Sequence, residues 1–318
     1  MKYGFTVPSR GPLAEPDSLV TIAKRAEALG YDSISLGDHI LVPKDIDSTY
    51  PYTETGEFPG STSGACLEQL NVLSYLAGQT ERIRLATSVM IVPHRNPLVA
   101  AKALTTIDVL SKGRLVVGIG AGWMREEFEA LGIPDFAERG VVTDEYIQAI
   151  KELWISDDPT FEGQYCRFSD ITFLPKPVQQ PHPPIWVGGE SKRAMRRAAR
   201  YCNGWYPIDS NPQFPLITPE QLDEGIKRLG SYAAKEGRDP SEIDVIYRTH
   251  HYQLNGGGGS SAERQRFTGN GDQIGADIRQ VQELGVAYLI VDFARLSQSV
   301  EEMLGHLEDM ATKVWPNV

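Results

Sequence analysis

Cysteine is scarce in this chain. Only Cys66, Cys166 and Cys202 occur among its 318 residues, far apart in sequence and without a C-x-x-C pair. That usage excludes a disulfide framework and a cysteine-ligated metal site, and each thiol is expected to be reduced and packed. The sequence therefore predicts a cytoplasmic protein that binds no metal.

Positive charge and long apolar runs are also in short supply. The 31 Lys and Arg residues face 42 Asp and Glu residues, which gives a formal net charge of −11 and disfavours nonspecific binding of nucleic acid. No window approaches the roughly 18 apolar residues that a membrane span requires, and the chain begins as a strand with no basic leader before it. We expect a small organic molecule as the partner, with neither nucleic acid nor membrane.

Several motifs that define other enzyme classes are missing. There is no Walker-type phosphate loop, no zinc-ligand cluster and no G-x-S-x-G elbow. Their absence disfavours phosphoryl transfer, zinc hydrolysis and serine esterase chemistry. The run of Gly118, Gly120 and Gly122 also lacks the G-x-G-x-x-G spacing of a dinucleotide fingerprint.

What the chain does contain is a regular alternation of short apolar runs and longer helical patterns. Such alternation is typical of βα units around a parallel sheet, and eight units indicate closure into a barrel. The sequence predicts a single (β/α)8 TIM-barrel domain over residues 1–318. The predicted strands are 3–7, 33–36, 84–89, 115–119, 185–187, 204–207, 244–247 and 288–291. The predicted helices are 17–29, 97–111, 139–154, 191–201, 219–236, 272–284 and 299–313.

Three segments depart from a minimal barrel, and we expect the insertions at its C-terminal face. Residues 41–64 are aromatic and polar and follow the second strand, which predicts a mouth loop that covers the site. Residues 157–184 are rich in proline and are predicted to run around the rim as a structural excursion without chemistry. Residues 255–267 include a glycine run typical of a flexible loop, either natural or engineered.

The end of the fourth predicted strand is the most informative stretch. There Gly118, Gly120 and Gly122 remove side chains at alternate positions, where a flat ligand can approach the backbone. A tight turn that needs positive φ is the alternative interpretation.

A second glycine pair follows the fifth predicted strand. Gly188 and Gly189 precede a helix whose first turn exposes free backbone N–H groups, and Ser191, Lys192 and Arg193 add a hydroxyl and positive charge. Such a turn suits a phosphate, although a Gly-Gly turn with a serine cap also occurs in helices that bind nothing. Two glycine-rich strand ends on one face favour a phosphorylated cofactor.

The second predicted strand ends at Asp38 and His39. The C-terminal ends of barrel strands form the active face, so His39 is the candidate for acid/base chemistry and Asp38 is a neighbour that can orient it. Adjacent residues of a strand point in opposite directions, so a direct bond between the two is not assured. The alternative for His39 is a packed or solvent-exposed side chain, and His94, bracketed by prolines, is predicted to be structural.

Several separated blocks, taken in their order, resemble the bacterial luciferase-like monooxygenase superfamily, and in particular its branch that depends on the deazaflavin coenzyme F420. The resemblance covers nearly the whole chain. It rests on Gly4-Phe5, Gly37-Asp38-His39, Thr87-Ser88-Val89, the run from Gly118 to Glu127, Glu138-Arg139 with Asp144-Glu145, and the run from Pro184 to Gly189.

The resemblance implies an eight-stranded α/β barrel, commonly a homodimer, with a flavin-type cofactor in its mouth and two-electron redox chemistry. It implies a cis peptide bond between Ser88 and Val89 beneath the cofactor ring, and it places His39 on the substrate side of that ring. The residues that it places along the ribityl-phosphate end are Gly120, Gly122, Gly188, Gly189, Glu190 and Ser191. The other cofactor-binding residues that it implies are Asp38, Ser88, Val89 and Arg139.

The resemblance leaves the cofactor open between F420 and FMN. The Ser88-Val89 pair and the block from Trp123 to Glu127 look more similar to the F420 branch, which implies hydride transfer between the deazaflavin and a small organic substrate. An FMN-dependent monooxygenase that uses molecular oxygen is the alternative, and a barrel that binds a flavin without catalysis is a second one. Related sugar-phosphate dehydrogenases keep an acidic residue where Trp123 stands, so the resemblance does not extend to sugar-phosphate oxidation.

Overall fold

Eight parallel strands close into a barrel in the computed structural model, which describes residues 1–59, 64–256 and 264–318. The barrel strands are β1 Lys2–Val7, β2 Ser33–Leu36, β3 Arg84–Thr87, β4 Leu115–Gly120, β5 Ile185–Gly188, β6 Gly204–Tyr206, β7 Asp244–Thr249 and β8 Val286–Val291. Each pairs in parallel with the next strand along the chain, and β8 pairs with β1, so no barrel strand is left with an open edge. The predicted (β/α)8 TIM barrel is confirmed, with all eight strands in their predicted places.

Side chains alternate between the inside of the barrel and the outer layer, as the period of two along a strand requires. The barrel interior is filled by the cluster Ala86, Val116, Trp186, Tyr206, Ile246, Tyr288 and Ile290. The other face of the strands packs against the helices in a second, larger core that includes Phe5, Ile34, Leu85 and Trp205. The lower barrel is therefore a packed core, and only its upper mouth is open to a ligand.

The helices form the outer ring. Their bounds are α1 Pro16–Leu29, α2 Gln69–Ala77, α3 Pro97–Leu110, α4 Arg125–Leu131, α5 Arg139–Ile155, α6 Lys192–Tyr201, α7 Pro219–Lys235, α8 Gly271–Glu283 and α9 Val300–Asp309. The seven predicted helices are present, and α9 ends earlier than expected because a π-helical turn, Met310–Val314, follows it. Two helices are absent from the predicted set: α2, a nine-residue helix after the long mouth loop, and α4, a seven-residue helix after β4.

The two long insertions lie at opposite ends of the barrel. The described part of the mouth loop, residues 41–59, extends from the C-terminal end of β2 and lines the mouth, while residues 60–63 lie outside the described residues. The proline-rich segment 157–184 instead borders the N-terminal ends of the strands, where the Gln179 side chain bonds to Arg84 and to the Leu115 carbonyl, at the first residues of β3 and β4. It lies there because α5 runs away from the mouth and β5 starts at the far end of the barrel, so their connection stays at that end.

Most of the predicted flexible loop, residues 257–263, lies outside the described residues. The chain on either side is anchored, since Gln253–Leu254 pairs with Thr268–Gly269 and Arg264 forms two hydrogen bonds with Asp277. Across residues 1–59, 64–256 and 264–318, no helix combines the length and the apolar character that crossing a membrane requires.

Candidate active site

A cavity of about 1200 Å³ opens at the C-terminal ends of the barrel strands and continues as a groove toward α5, α6 and α7. Every residue singled out from the sequence as catalytic or cofactor-binding lines it: Asp38, His39, Ser88, Val89, Gly120, Gly122, Arg139, Gly188, Gly189, Glu190 and Ser191. The structure thus brings together residues from the ends of β2, β3, β4 and β5, which are separated by as many as 153 positions between Asp38 and Ser191. Their roles toward a cofactor stay predictions.

His39 is held by a carboxylate that the sequence did not single out. Its Nδ1 lies 2.8 Å from Oε2 of Glu127, whose side chain is fully buried at the start of α4. The other oxygen of Glu127 accepts the backbone N–H groups of Ile40, at 2.8 Å, and Leu41, at 3.4 Å. Because a carboxylate accepts hydrogen bonds, this contact selects the imidazole tautomer with its proton on Nδ1 and leaves Nε2 for a ligand.

Asp38 does not orient His39, contrary to the expectation from their adjacency. Its carboxylate instead binds the Arg95 guanidinium through both oxygens, at 2.7 and 2.9 Å, and accepts the backbone N–H of Ile91 at 2.8 Å. The physical reason is the alternation of side chains along an extended chain, which sends the two neighbours to different surroundings. Asp38 and Arg95 thereby tie the end of β2 to the segment that follows β3.

The peptide bond between Ser88 and Val89 is cis, as the resemblance predicts. The Val89 side chain stands between two glycines of the neighbouring strands: a Cβ on Gly120 would lie 2.7 Å from Val89 Cγ2, and a Cβ on Gly188 would lie 3.0 Å from Val89 Cγ1. These two glycines therefore make room for Val89, which presents a fixed apolar surface to the cavity.

The glycines of the β4 run have different reasons for being there. Gly118 does not line the cavity. It lies instead in the wall between β3 and β4, where a Cβ would be 2.1 Å from the Thr87 carbonyl oxygen, so only glycine fits. Gly122 has a φ of +87°, and its position is also crowded by Phe128 and Ile91. The prediction that a ligand approaches all three glycines is thus wrong for Gly118, where the absence of a side chain allows two strands to pack closely.

Positive charge collects at the groove end of the cavity. Ser191 caps α6 by accepting the Ala194 N–H at 3.2 Å, and Gly189 turns the chain there with a φ of +105°. Arg139 donates to the Gly122 carbonyl from the start of α5. Burial, with the nearby cations Arg125 and Arg193, lowers the pKa of Arg139, so an anion bound here would relieve a repulsion that the protein builds in. This arrangement suits a phosphate.

Glu190 lines the same cavity, but both oxygens of its carboxyl group accept hydrogen bonds from other residues of the protein. One oxygen accepts the Ile208 N–H at 2.8 Å and the other accepts the Asn211 side-chain amide at 2.6 Å. Burial outweighs these bonds and raises the pKa of Glu190 from 4.5 to about 7. The carboxyl therefore changes its charge in the neutral pH range.

Replacing Glu190 with glutamine should change how stability depends on pH. A carboxyl whose pKa rises on folding stabilises the fold below its unfolded pKa and loses that contribution as pH rises through the folded value. Relative to Glu190→Gln, the wild type should lose up to about 3 kcal/mol of unfolding free energy between about pH 4.5 and pH 8. Urea denaturation of both proteins across this range measures the difference, and a difference that stays constant with pH would contradict the shift.

Four aromatic side chains cover the mouth above His39. Tyr50 and Phe58 of the mouth loop pack against each other at 5.3 Å and against Trp123 at 5.1 and 5.2 Å, and Phe58 lies 4.9 Å from the His39 ring. Tyr52 packs on Tyr50 at 5.5 Å. The cover is apolar and in contact with the acid/base candidate, which suits a lid that excludes water.

The mouth loop is fastened to α4 by reciprocal hydrogen bonds. Glu126 accepts the backbone N–H groups of Asp47 and Ser48, both at 3.0 Å, while the Ser48 hydroxyl accepts the Arg125 N–H at 3.0 Å. The acidic start of α4 thus holds the loop through Glu126 and holds His39 through Glu127.

Arg248, at the end of β7, is a further cavity residue that the sequence interpretation missed. It bonds Asp292 at 2.5 Å and lies 3.3 Å from the Ser88 hydroxyl, which also bonds Tyr206. Although burial opposes ionisation of Asp292, Arg248 and His250 hold the pKa of that carboxyl below its usual range. Its position was open to prediction, because strand β7 was predicted and the rule that strand ends bear the site applies to Arg248 as it does to His39.

His94 is buried, with Nδ1 3.7 Å from Oε1 of Glu127, and its predicted structural role stays a prediction. It packs on Phe128 at 4.9 Å, lies outside the cavity, and burial lowers its pKa to about 4. No group of three or more His, Cys, Asp or Glu side chains in the described part of the chain is arranged to hold a metal ion.

Comparison with known proteins agrees with this architecture. The chain is 37% identical over 146 residues to an FMNH2-dependent dimethylsulfone monooxygenase of Pseudomonas putida, covering 45% of this chain and 40% of that protein. It is 30% identical over 234 residues to an F420-dependent glucose-6-phosphate dehydrogenase of Microbacterium testaceum, covering 73% of this chain and 62% of that protein. The solved structure of monooxygenase RslO1 from Streptomyces bottropensis superposes with a TM-score of 0.75 at 23% identity, covering 99% of both chains.

A family model matches most of the chain as well. The model described as luciferase-like monooxygenase aligns with residues 1–254, which include β1 to β7 and every predicted site residue. The protein therefore belongs to the luciferase-like monooxygenase family.

Proposed function

We propose that this protein is an F420-dependent oxidoreductase that transfers a hydride between the deazaflavin and a small organic substrate. One observation carries the proposal: the cavity joins an imidazole held by a buried carboxylate, His39 with Glu127, to the apolar ledge at Val89 and to an electropositive groove. An acid/base group beside an apolar ledge and an anion site is the set of features that a phosphorylated redox cofactor requires.

The residues present fit such a cofactor. Val89 and the backbone at Gly120 and Gly188 offer a flat, apolar contact for a ring system, and the start of α6 with Arg139 and Arg193 offers an anion site for a phosphate. A bound deazaflavin would supply a carbon that accepts or releases hydride, which no side chain can do.

The protein's own part is to move one proton and to exclude water. His39 has Nε2 free for a substrate oxygen or nitrogen, and Glu127 stabilises the imidazolium that forms when this atom takes a proton. The lid formed by Tyr50, Phe58 and Trp123 covers the same imidazole, so transfer would take place out of contact with bulk water.

An FMN-dependent monooxygenase is the second candidate. It is favoured by the 37% identity to the dimethylsulfone monooxygenase, which is named as FMNH2-dependent. The same cavity suits FMN, whose ring and phosphate need similar contacts. Oxidation of a sugar phosphate, the activity for which the F420-dependent relative is named, is disfavoured because Trp123 places an apolar ring in the lid beside His39.

Titration of the purified protein with oxidised F420 and, separately, with FMN distinguishes the candidates. We expect F420 to bind at least about tenfold more tightly than FMN, a difference of about 1.4 kcal/mol, as measured by fluorescence. Preference for FMN would favour the oxygenase. Binding of neither would overturn the cofactor assignment, and tight binding without turnover across hydride donors and acceptors would favour a non-catalytic flavin-binding barrel.

A further inference from the structure

Arg248, in the mouth of the barrel, has guanidinium N–H groups that are not used in hydrogen bonds to the described residues. Of its guanidinium N–H groups, one on Nη2 bonds Asp292 and one on Nη1 lies near the Ser88 hydroxyl, while Nε has no partner among the described residues. The side chain is 17% exposed and lines the cavity. A planar guanidinium with open donors facing a cavity is suited to bind a carboxylate.

A second cation lines the mouth without an acidic partner in the described part of the chain. Arg10 lies over the Phe58 ring with its guanidinium carbon 5.0 Å from the ring centroid, and its buried Nη1 bonds no described residue. Burial raises the pKa of Tyr50, whereas Arg248, Arg295 and Arg10 lower it, which places Tyr50 within the electrostatic reach of the Arg10 and Arg248 groups.

The acidic side chains that line the cavity do not neutralise these two arginines. Each has its own partners: Asp38 binds Arg95, Asp144 binds Arg197, Glu190 binds Asn211, and Glu236 lies near Arg200. Asp292, below the mouth, pairs with Arg248 and also lies 3.3 Å from Nε2 of His250. Arg10 is therefore left without an acidic partner among the described residues, and a partly buried cation without a partner is costly.

The walls around Arg10 and Arg248 are aromatic. Tyr50, Phe58 and Trp123 pack with ring centroids 5.1 to 5.3 Å apart, and they continue to His39. An occupant of this space therefore meets both apolar ring faces and guanidinium groups. A neutral carbonyl would leave the charge of Arg10 uncompensated, whereas a carboxylate would neutralise it.

We propose that Arg248, together with Arg10, forms a carboxylate-binding subsite, and that the substrates are aromatic or other apolar carboxylic acids. The inference rests on the proposed function in one respect, namely that the mouth beside His39 is the substrate side of the cavity. The aromatic lid binds the apolar body of the acid, and the two arginines fix its carboxylate and so its orientation toward His39.

Binding of benzoate and of its neutral counterpart benzamide tests the proposal. Each is titrated into the full-length protein while tryptophan fluorescence is followed, since Trp123 lies in the wall of the subsite. We expect benzoate to bind at least about tenfold more tightly than benzamide. Arg248→Gln should weaken benzoate binding by about 10-fold to 100-fold and leave benzamide binding within about twofold. Equal affinities, or no saturable binding of benzoate, would overturn the proposal.

Three further variants guard against a merely structural effect. Arg10→Gln has no acidic partner to abandon, so it should fold normally and still weaken benzoate binding by about tenfold. Arg248→Lys keeps the charge but loses the planar fork, and an intermediate loss is expected. Arg167→Gln removes an exposed cation of the segment at the far end of the barrel, outside the cavity lining, and should leave benzoate binding within about twofold. Unchanged benzoate affinity in Arg10→Gln and Arg248→Gln would overturn the subsite.

Failure of this inference can be told apart from failure of the proposed function. If Arg248→Gln weakens F420 binding as much as benzoate binding, and the two compete, then Arg248 belongs to the cofactor site and the inference is wrong while the proposed function stands. If the wild type binds neither F420 nor FMN, the proposed function fails, and the preference for benzoate over benzamide still decides the subsite.

Discussion

Alanine in place of His39 should lower turnover by about 10²-fold to 10⁴-fold and leave the dissociation constant of the coenzyme within about threefold. In the proposed function Nε2 is the acid/base atom on the substrate side, and the substitution leaves untouched the apolar ledge at Val89 and the groove at Arg139, which are proposed to bind the cofactor. The rate of coenzyme oxidation or reduction in a single turnover, together with the fluorescence titration, measures both quantities.

His182 provides a matched control for this variant. His39 and His182 are 9% and 8% exposed, and each makes one hydrogen bond through Nδ1, but His182 lies in the segment at the far end of the barrel. His182→Ala should therefore cost comparable stability and leave turnover within about twofold. Unchanged turnover in His39→Ala would remove this residue from the mechanism, and an equal loss in both variants would attribute the effect to folding.

The largest expected effect on stability belongs to Gly118. A Cβ at this position would lie 2.1 Å from the Thr87 carbonyl oxygen, an approach between backbone atoms that a rotamer change cannot relieve. Gly118→Ala must therefore separate β3 from β4, and we expect a loss of about 3 kcal/mol or more of unfolding free energy. Chemical denaturation followed by circular dichroism gives the value.

Gly305 in α9 is a control position, where replacing glycine with alanine is expected to raise stability instead of lowering it. No atom lies within 4 Å of a Cβ built there, and the residue is helical. Gly305→Ala should stabilise the protein by about 0.5–1 kcal/mol, because alanine loses less backbone freedom on folding. If both variants lost similar stability, the close approach of β3 and β4 would not be the cause.

The architecture was predictable because it depends on local periodicity. Each barrel strand is a short apolar run. Most of the predicted helices begin near Pro, Ser or Asp, and several helices end near glycines such as Gly30, which takes a φ of +91°. Helix α2 escaped prediction because it is short and follows a long irregular loop, which left no clear boundary before it. The far-end position of residues 157–184 follows from the direction of α5 once the barrel is accepted.

The sequence was sufficient to predict where the candidate site lies, but not which side chains contact each other within it. The rule that strand ends form the active face brought together His39, Val89 and Gly188, and the structure has all of them in one cavity. The rule could not identify the hydrogen-bond partners of these residues. Glu127 and His39 are 88 positions apart in the sequence, and Arg248 and Ser88 are 160 positions apart. Such pairings depend on the register of strands and helices in three dimensions, which no spacing along the chain encodes.

The neighbouring acids at the start of α4 have a consequence for the timing of a catalytic cycle. Glu126 fastens the loop over the mouth, and Glu127 fixes the imidazole of His39. Because these two residues are adjacent in the chain, we expect a displacement of that turn to weaken both contacts together. Opening of the mouth would then be coupled to loss of the hydrogen bond that orients His39, so the imidazole would be correctly placed only when the mouth is covered.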